Sequence, residues 1–262
     1  MTFPEYKTII THISDRHLFI VLNRPEKRNA FNDTMVEELN DVFNKTSAEK
    51  GIRTISIEGS GQAFCSGADL EYLQKIKDYD PQSNLNDSLK LSDLFLSIYR
   101  SPKPVIAVVH GPALAGGCGL ASVCDFIIAT QDAKFGYPEV KIGFIAAIVS
   151  VFLIRQIGER KARDLLLSGR IIDAHEALQM GMINKVVPLS ELSAYRDELI
   201  RNLRLNSPMA LTASKKLLDS FNFTEINEEL TAKAQMNAEF RQTPDFREGL
   251  DAFFEKRRPN WD

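Results

Sequence analysis

Residues 103–125 read KPVIAVVHGPALAGGCGLASVCD. Pro102 and Pro104 close the helical spacing that runs through residues 89–99, since proline lacks an amide donor and pushes its predecessor out of the helical region. Val105–Val109 is a short apolar run rich in β-branched residues, which favours a strand. After it Leu114–Ala115–Gly116–Gly117–Cys118–Gly119 opens a helix of small residues, and residues 126–129 are strand-like again. Strand, glycine turn, helix, strand is the grammar of an α/β fold with a mixed or parallel sheet wrapped by helices.

The pattern extends toward the N-terminus. Residues 7–13 and 18–22 read as strands around a turn at Ser14–Asp15–Arg16, and Asn23–Arg24–Pro25 ends the second. Asn32 or Asp33 suits the cap of a helix whose apolar positions are Met35, Val36, Leu39, Val42 and Phe43. Residues 52–57 alternate as a strand. They run into a glycine-rich turn, GSGQAFCSGADL at 59–70. Residues 74–88, polar and carrying Asp78, Asp80 and Pro81, read as an exposed loop.

Toward the C-terminus residues 133–135 and 184–187 read as strands. The spacing predicts helices over 159–168, 173–180, 190–203, 208–220, 224–240 and 244–254, with Asp173 and Ser190 as caps. The last quarter is nearly all helix. Its amphipathic faces need a core or a neighbouring subunit to cover them, which favours an oligomer.

The 262 residues are 44% hydrophobic and 26% charged, an ordinary globular composition. A net charge of −3 gives no support for nucleic-acid or acidic-membrane binding. The longest apolar stretch, 142–154, is too short to span a bilayer, and the start MTFPEYKTII lacks the order of a secretory signal, so a cytoplasmic location is expected. Cys65, Cys118 and Cys124 form no disulfide or metal-ligand spacing and read as small buried hydrophobes.

Two glycine turns are candidates for chemistry. If the chain enters a helix near Leu70, the amides around Ala68 in Ser66–Gly67–Ala68–Asp69 are unpaired and point outward. Three glycines in four positions at 116–119 cost backbone entropy in a helix; close packing or an amide facing a ligand would offset that. The spacing matches neither a dinucleotide fingerprint nor a P-loop. Two such turns, each offering one amide, suggest a two-donor hole for the oxygen of a carbonyl substrate, and a thioester suits it. No GxSxG elbow or HExxH is present, and His12, His17, His110 and His175 are scattered. Glu139, between aromatic and glycine residues in FGYPEVKIG, is the candidate acid–base; a first-turn helix charge is the plainer alternative. Arg24, Lys27 and Arg28 form a small basic cluster suited to phosphate or simply to solvent, and Lys256, Arg257 and Arg258 pose the same choice.

LNRPEKRNAF (22–31), GQAFCSGADL (61–70), the 103–125 segment, AKFGYPEVKIGF (133–144) and LLLSGRIIDAHEALQMGMINKVV (165–187) resemble, in this order, the motifs of the enoyl-CoA hydratase/isomerase (crotonase) superfamily. The resemblance runs from about residue 5 to the end. It implies a ClpP-like spiral of ββα units over 1–188 and a helical oligomerisation region over 189–262, assembled as a homotrimer or a hexamer of paired trimers. It implies an acyl-CoA substrate whose thioester carbonyl lies between the amides of Ala68 and Gly116. Ser66, Asp69 and Leu70 would then line the coenzyme path, with Lys27 or Arg28 near its phosphates. Coenzyme A would come as part of the substrate, with no redox or metal cofactor. Family hydratases carry two glutamates; the first falls on Gly119 here and the second on Glu139. Reversible hydration of a 2-enoyl-CoA, branched esters such as 3-methylglutaconyl-CoA included, is the expected activity. Isomerisation of a 3-enoyl-CoA by Glu139 alone and an inactive acyl-CoA-binding scaffold are the alternatives. An acid restored at position 119 is expected to change the ratio of hydratase to isomerase activity.

Overall fold

The computed structural model describes residues 2–221 and 223–261, with the backbone alone at 223–225. The chain opens on a hairpin of β1 (Ile9–Ser14) and β2 (His17–Leu22), paired antiparallel. Asp15 and Arg16 both take positive φ, 46° and 62°, the two-residue turn whose twist matches the strands. After α1 (Asp33–Ser47), β3 (Thr54–Gly59) joins β2 in parallel. Asn32 caps α1, its Oδ1 accepting from Met35 N at 2.9 Å. Then come α2 (Leu70–Lys77), α3 (Pro81–Tyr99), β4 (Val105–Val109), β5 (Pro112–Leu114), α4 (Gly116–Ser122), β6 (Phe126–Thr130) and β7 (Lys134–Gly136). The rest is α5 (Ala147–Ser168), β8 (Ile171–Asp173), α6 (Ala174–Met180), β9 (Lys185–Val187), α7 (Leu192–Leu205), α8 (Pro208–Ser220), α9 (Phe223–Phe240) and α10 (Pro244–Phe254).

Among the described residues the main sheet has six strands in the order β1-β2-β3-β4-β6-β9, all parallel after the first pair. A second sheet, β5-β7-β8, stands beside it. β4 is buried on both faces, as a parallel strand in the middle of a layered fold must be. Val105, Ala107 and Val109 enter the main core with α1, α3, α4 and α5. Ile106 and Val108 face the other way, into a smaller cluster with Leu192, Ile200 and Leu203 of α7.

Three sequence expectations are corrected. Residues 74–88 are not a loop but the end of α2, a short link and the start of α3, which Asp80 caps through Ser83 N at 3.0 Å. The helix expected to begin at 159 starts at Ala147 and is interrupted by Gly158 at φ 78° and ψ 160°. Ser190 caps nothing: it lies in a 3-10 turn, Leu189–Glu191, and α7 begins without a side-chain cap, whereas Asp173 does cap α6 through Glu176 N at 2.8 Å. The short strands β5 and β8 were not read from the sequence.

The C-terminal helices divide their work. α9 packs on α3 and α5, and α10 packs on the 3-10 turn Pro138–Ile142. α8 buries none of its side chains; Met209, Leu217, Leu218 and the following Phe221 are more than half exposed. Among the described residues no helix is long and apolar enough to cross a membrane.

Candidate active site

The two glycine turns meet because short parallel bridges draw them together. Phe31 pairs with Ala68 and Cys65 with Ala113. In the first, Phe31 N donates to Gly67 O at 2.7 Å and Phe31 O accepts from Asp69 N at 2.7 Å. Ala68, facing Phe31 in a parallel register, must therefore aim its own N–H away from it. In the second, Leu114 N donates to Cys65 O at 2.9 Å, which lays the 65–67 segment along the 113–115 segment. A Cβ on Gly67 would stand 2.7 Å from Ala115 Cβ and 3.4 Å from Gly116 N, and Gly67 takes φ 92°, so no larger residue serves there.

Ala115 has φ 51° and ψ −128°, a conformation normally left to glycine. Such strain costs about 1–3 kcal/mol and persists only where the surroundings enforce it. Its effect is to set the peptide plane that carries the Gly116 amide at the first turn of α4. Gly117, next along, lies so close to the 65–67 segment that a Cβ would be 2.1 Å from Cys65 O. Neither Ala68 N nor Gly116 N donates to an acceptor among the described residues. Both residues line one cavity of about 910 Å³.

Residues 23–31 are strapped to this turn. Arg24 donates to Ala30 O and to Asp69 Oδ2, both at 2.6 Å. Buried Asn29 donates to Ser60 O and Ala63 O at 2.8 Å and accepts from Arg24 N at 2.9 Å. Asp69 also caps α2, its Oδ1 accepting from Glu71 N at 3.0 Å. Arg24 and Asn29 thus hold the Ala68 amide in place. Sequence reasoning gave neither that role; an arginine with an acid at a helix cap was the available signal.

Eight of the sequence candidates line the same cavity: Lys27, Arg28, Ser66, Ala68, Asp69, Leu70, Gly116 and Glu139; Arg24 and the basic run 256–258 do not. They differ in what remains free to meet a ligand. Asp69 is buried and committed to Arg24 and to its cap. Lys27 pairs with Glu71 at the rim, and Arg28 is exposed there. Ser66 is half-buried, and its amide donates to Arg28 O at 3.1 Å. Leu70 is the first residue of α2.

Glu139 sits in the Pro138–Ile142 turn and is 8% exposed. Its Oε2 is buried without a hydrogen-bond partner among the described residues. Loss of water raises its pKa to about 7, opposed only by a hydrogen bond from its own backbone. A carboxyl half-ionised near neutrality both takes and gives a proton readily. The apolar wall opposite the rim is supplied by Phe144, Ile145, Ala146, Ala147, Ile148 and Val149.

Gly119 does not face the cavity. A Cβ there would be 2.2 Å from Val149 Cγ1 and 3.2 Å from Phe95 Cε2. Val149, which itself lines the cavity, occupies the space next to Gly119, so an acid added at 119 must displace it to reach the cavity. The remaining candidates are accounted for elsewhere. His110 bonds Gly61 O at 2.9 Å, and buried His17 bonds Thr54 and Ser56. All three cysteines are buried, with burial pushing the Cys65 and Cys118 thiols up to about 12.

Comparison with known proteins identifies the family. The sequence model of the family described as enoyl-CoA hydratase/isomerase matches residues 15–262. A Thermus thermophilus protein named "Putative enoyl-CoA hydratase" is 39% identical over 253 residues, 96% of this chain and 100% of that protein. The 2,3-dehydroadipyl-CoA hydratase of Escherichia coli is 32% identical over 97% of this chain and 98% of its own length. The crystal structure of an enoyl-CoA hydratase/isomerase from Xanthobacter autotrophicus superposes with a TM-score of 0.88 at 30% identity, covering 96% of this chain and 97% of that one.

Proposed function

The chain belongs to the enoyl-CoA hydratase/isomerase family, and on that premise we propose that it adds water reversibly to the double bond of a 2-enoyl thioester of coenzyme A, with Glu139 as its one acid–base carboxylate. The observation that carries this reading is Glu139 itself: a buried, unpartnered carboxyl with a pKa near 7 in the cavity that two unspent amides share. The amides of Ala68 and Gly116 receive the thioester oxygen. A carboxylate Glu139 takes a proton from water as the water oxygen bonds to Cβ. The electron pair of the double bond passes through Cα to the thioester oxygen, giving an enolate that the amides stabilise. Glu139 then returns the proton to Cα and is regenerated. Lys27 and Arg28 at the rim suit the coenzyme phosphates, with Ser66, Asp69 and Leu70 along the path between. Branched acyl groups such as 3-methylglutaconyl are included in the proposal.

A second reading rests on a specific observation. With Val149 and Phe95 against Gly119, Glu139 is the one cavity carboxylate among the described residues that is buried with an oxygen lacking a hydrogen-bond partner. One base suffices to lift a proton from one carbon of a 3-enoyl thioester and return it to another, which is isomerisation. Assaying the purified protein with crotonyl-CoA, 3-hexenoyl-CoA and 3-methylglutaconyl-CoA tests both. Hydration of crotonyl or 3-methylglutaconyl esters with the larger kcat/KM supports the first reading; a larger kcat/KM for 3-hexenoyl isomerisation replaces it with the second. Binding without turnover of any ester leaves an acyl-CoA scaffold.

The Val149 contact makes a further prediction. Gly119→Glu alone is expected to destabilise the fold by overpacking, about 1–3 kcal/mol, with little gain in hydration. Gly119→Glu combined with Val149→Ala opens the wall and is expected to raise kcat/KM for crotonyl-CoA hydration about tenfold over Val149→Ala alone. Thermal melts and steady-state kinetics check both. The exposed apolar face of α8 supports a homotrimer or paired trimers, a mass readable by light scattering.

A further inference from the structure

The cavity wall contributed by α9 is polar where an acyl tail should meet carbon. Asn237 lies in the last turn of α9 and Arg241 is the residue that follows the helix, four positions on; both line the cavity. Each is 4% exposed. Arg241 Nη1 donates to Asp87 Oδ2 at 2.6 Å and to Asn84 Oδ1 at 3.3 Å, both on α3. The guanidinium also lies over Phe144, 5.9 Å from the ring centroid, which fixes its plane. Asp87 in turn accepts from the Tyr72 hydroxyl. Arg241 is therefore held in one geometry before anything binds.

What is left over points to a ligand. Arg241 Nε is buried without a partner among the described residues, and no acceptor there takes the N–H groups of Nη2. The Asn237 side chain likewise makes no hydrogen bond among the described residues, though it is nine-tenths buried. Buried amide and guanidinium donors are ordinarily satisfied, and an orphan costs about 1–3 kcal/mol. Arg241, held by Asp87, and Asn237 together offer unmet donors to the cavity, facing a wall that includes Phe144, Ile145, Ile148 and Val149. Arg241's planar fork suits a carboxylate, whose oxygens accept several hydrogen bonds at once. An acyl chain ending in methyl would leave these donors unmet.

We propose that Arg241 and Asn237 form a subsite for a second carboxylate at the far end of the acyl group, so that the preferred substrates are coenzyme A monothioesters of dicarboxylic acids. This inference rests on the reading of the cavity as an acyl-CoA site. Specificity would then come from an unmet hydrogen bond rather than from shape, the stronger way to reject an analogue lacking the group.

Binding of unreactive saturated thioesters tests the subsite apart from the reaction. Three pairs of matched length serve, each a carboxylate-ended ester beside a methyl-ended one: succinyl- with butyryl-CoA, glutaryl- with pentanoyl-CoA, and adipyl- with hexanoyl-CoA. Calorimetry should show the carboxylate-ended ester about tenfold tighter or more in at least one pair, the ratio expected of a charge-assisted hydrogen bond. Arg241→Lys keeps a cation beside Asp87 but loses the planar fork, and Asn237→Leu removes the amide at similar volume. Each should lower that ratio several-fold. Equal affinities in every pair, or a preference unchanged in both variants, overturns the subsite. Tight binding of every pair without turnover of the unsaturated esters instead defeats the proposed reaction and leaves the subsite to be judged by the ratio.

Discussion

Glu139→Gln is expected to lower kcat for enoyl-CoA hydration by about 10²- to 10⁴-fold while acyl-CoA binding persists, and to leave the protein more stable than its parent at pH 8. The loss of rate follows if Glu139 carries the proton as proposed. The gain in stability follows from what burial does to the acid. Folding raises the Glu139 pKa from 4.5 to about 7. Between those values the folded state holds a proton that the unfolded state has released, so stability falls as pH rises through that window. Above it the ionised folded form carries the whole penalty, up to about 3 kcal/mol for a shift of this size. Glutamine cannot ionise and escapes it. The excess in Tm of the variant over the parent should therefore be present at pH 8 and vanish near pH 4. For the parent, kcat/KM in the direction that starts with proton abstraction should rise with pH through about 7 and then level. A variant that keeps its rate, or that is equally shifted in Tm at both pH values, removes Glu139 from the mechanism.

How much of this could be read from the sequence depends on whether the signal was local. Glycine turns and a lone acid beside aromatic residues are local, and Ala68, Gly116 and Glu139 stood out as candidates on that account; that they share one cavity was not legible. The β1–β2 hairpin and α1 were legible for the same reason, since their periods show. α3 was not legible at its start because its buried face is polar: Asn84, Ser88 and Ser92 lie at fourfold spacing toward the interior, ahead of Phe95. Small polar side chains there let α9 approach and give Arg241 an acceptor, so packing replaced the hydrophobic period that sequence reading relies on. The first half of α5 failed in the opposite way. Residues 147–153 are apolar almost throughout because they face α4 on one side and the cavity on another, and a helix buried all round shows no stripe. The contact of Val149 with Gly119, and the clasp of Arg24 on Asp69, join residues 30 and 45 positions apart; no window along the chain contains them.

The second large effect concerns an atom that no ordinary side-chain substitution removes. Ala68→Pro replaces the amide hydrogen of Ala68 with a ring carbon. Two facts make the exchange tolerable to the fold. Ala68 N donates to no acceptor among the described residues, so no internal hydrogen bond is lost, and its φ lies outside the positive region that a proline ring cannot enter. The preceding residue is Gly67, the residue type least troubled by a following ring. Because Ala68 is exposed to the cavity, the ring carbon has space there. Loss of one of two oxyanion donors should cost about 3 kcal/mol at the transition state, about 10²-fold or more in kcat. Affinity for an unreactive saturated acyl-CoA should fall less, since a neutral carbonyl oxygen carries less charge than the enolate oxygen and draws less from each donor. Ala68→Ser, which keeps the N–H and enlarges the side chain by one oxygen, should stay within a few-fold of the parent. A folded proline variant with near-parental kcat would mean that the thioester oxygen lies elsewhere, and the convergence of the two glycine turns would then need a structural explanation alone.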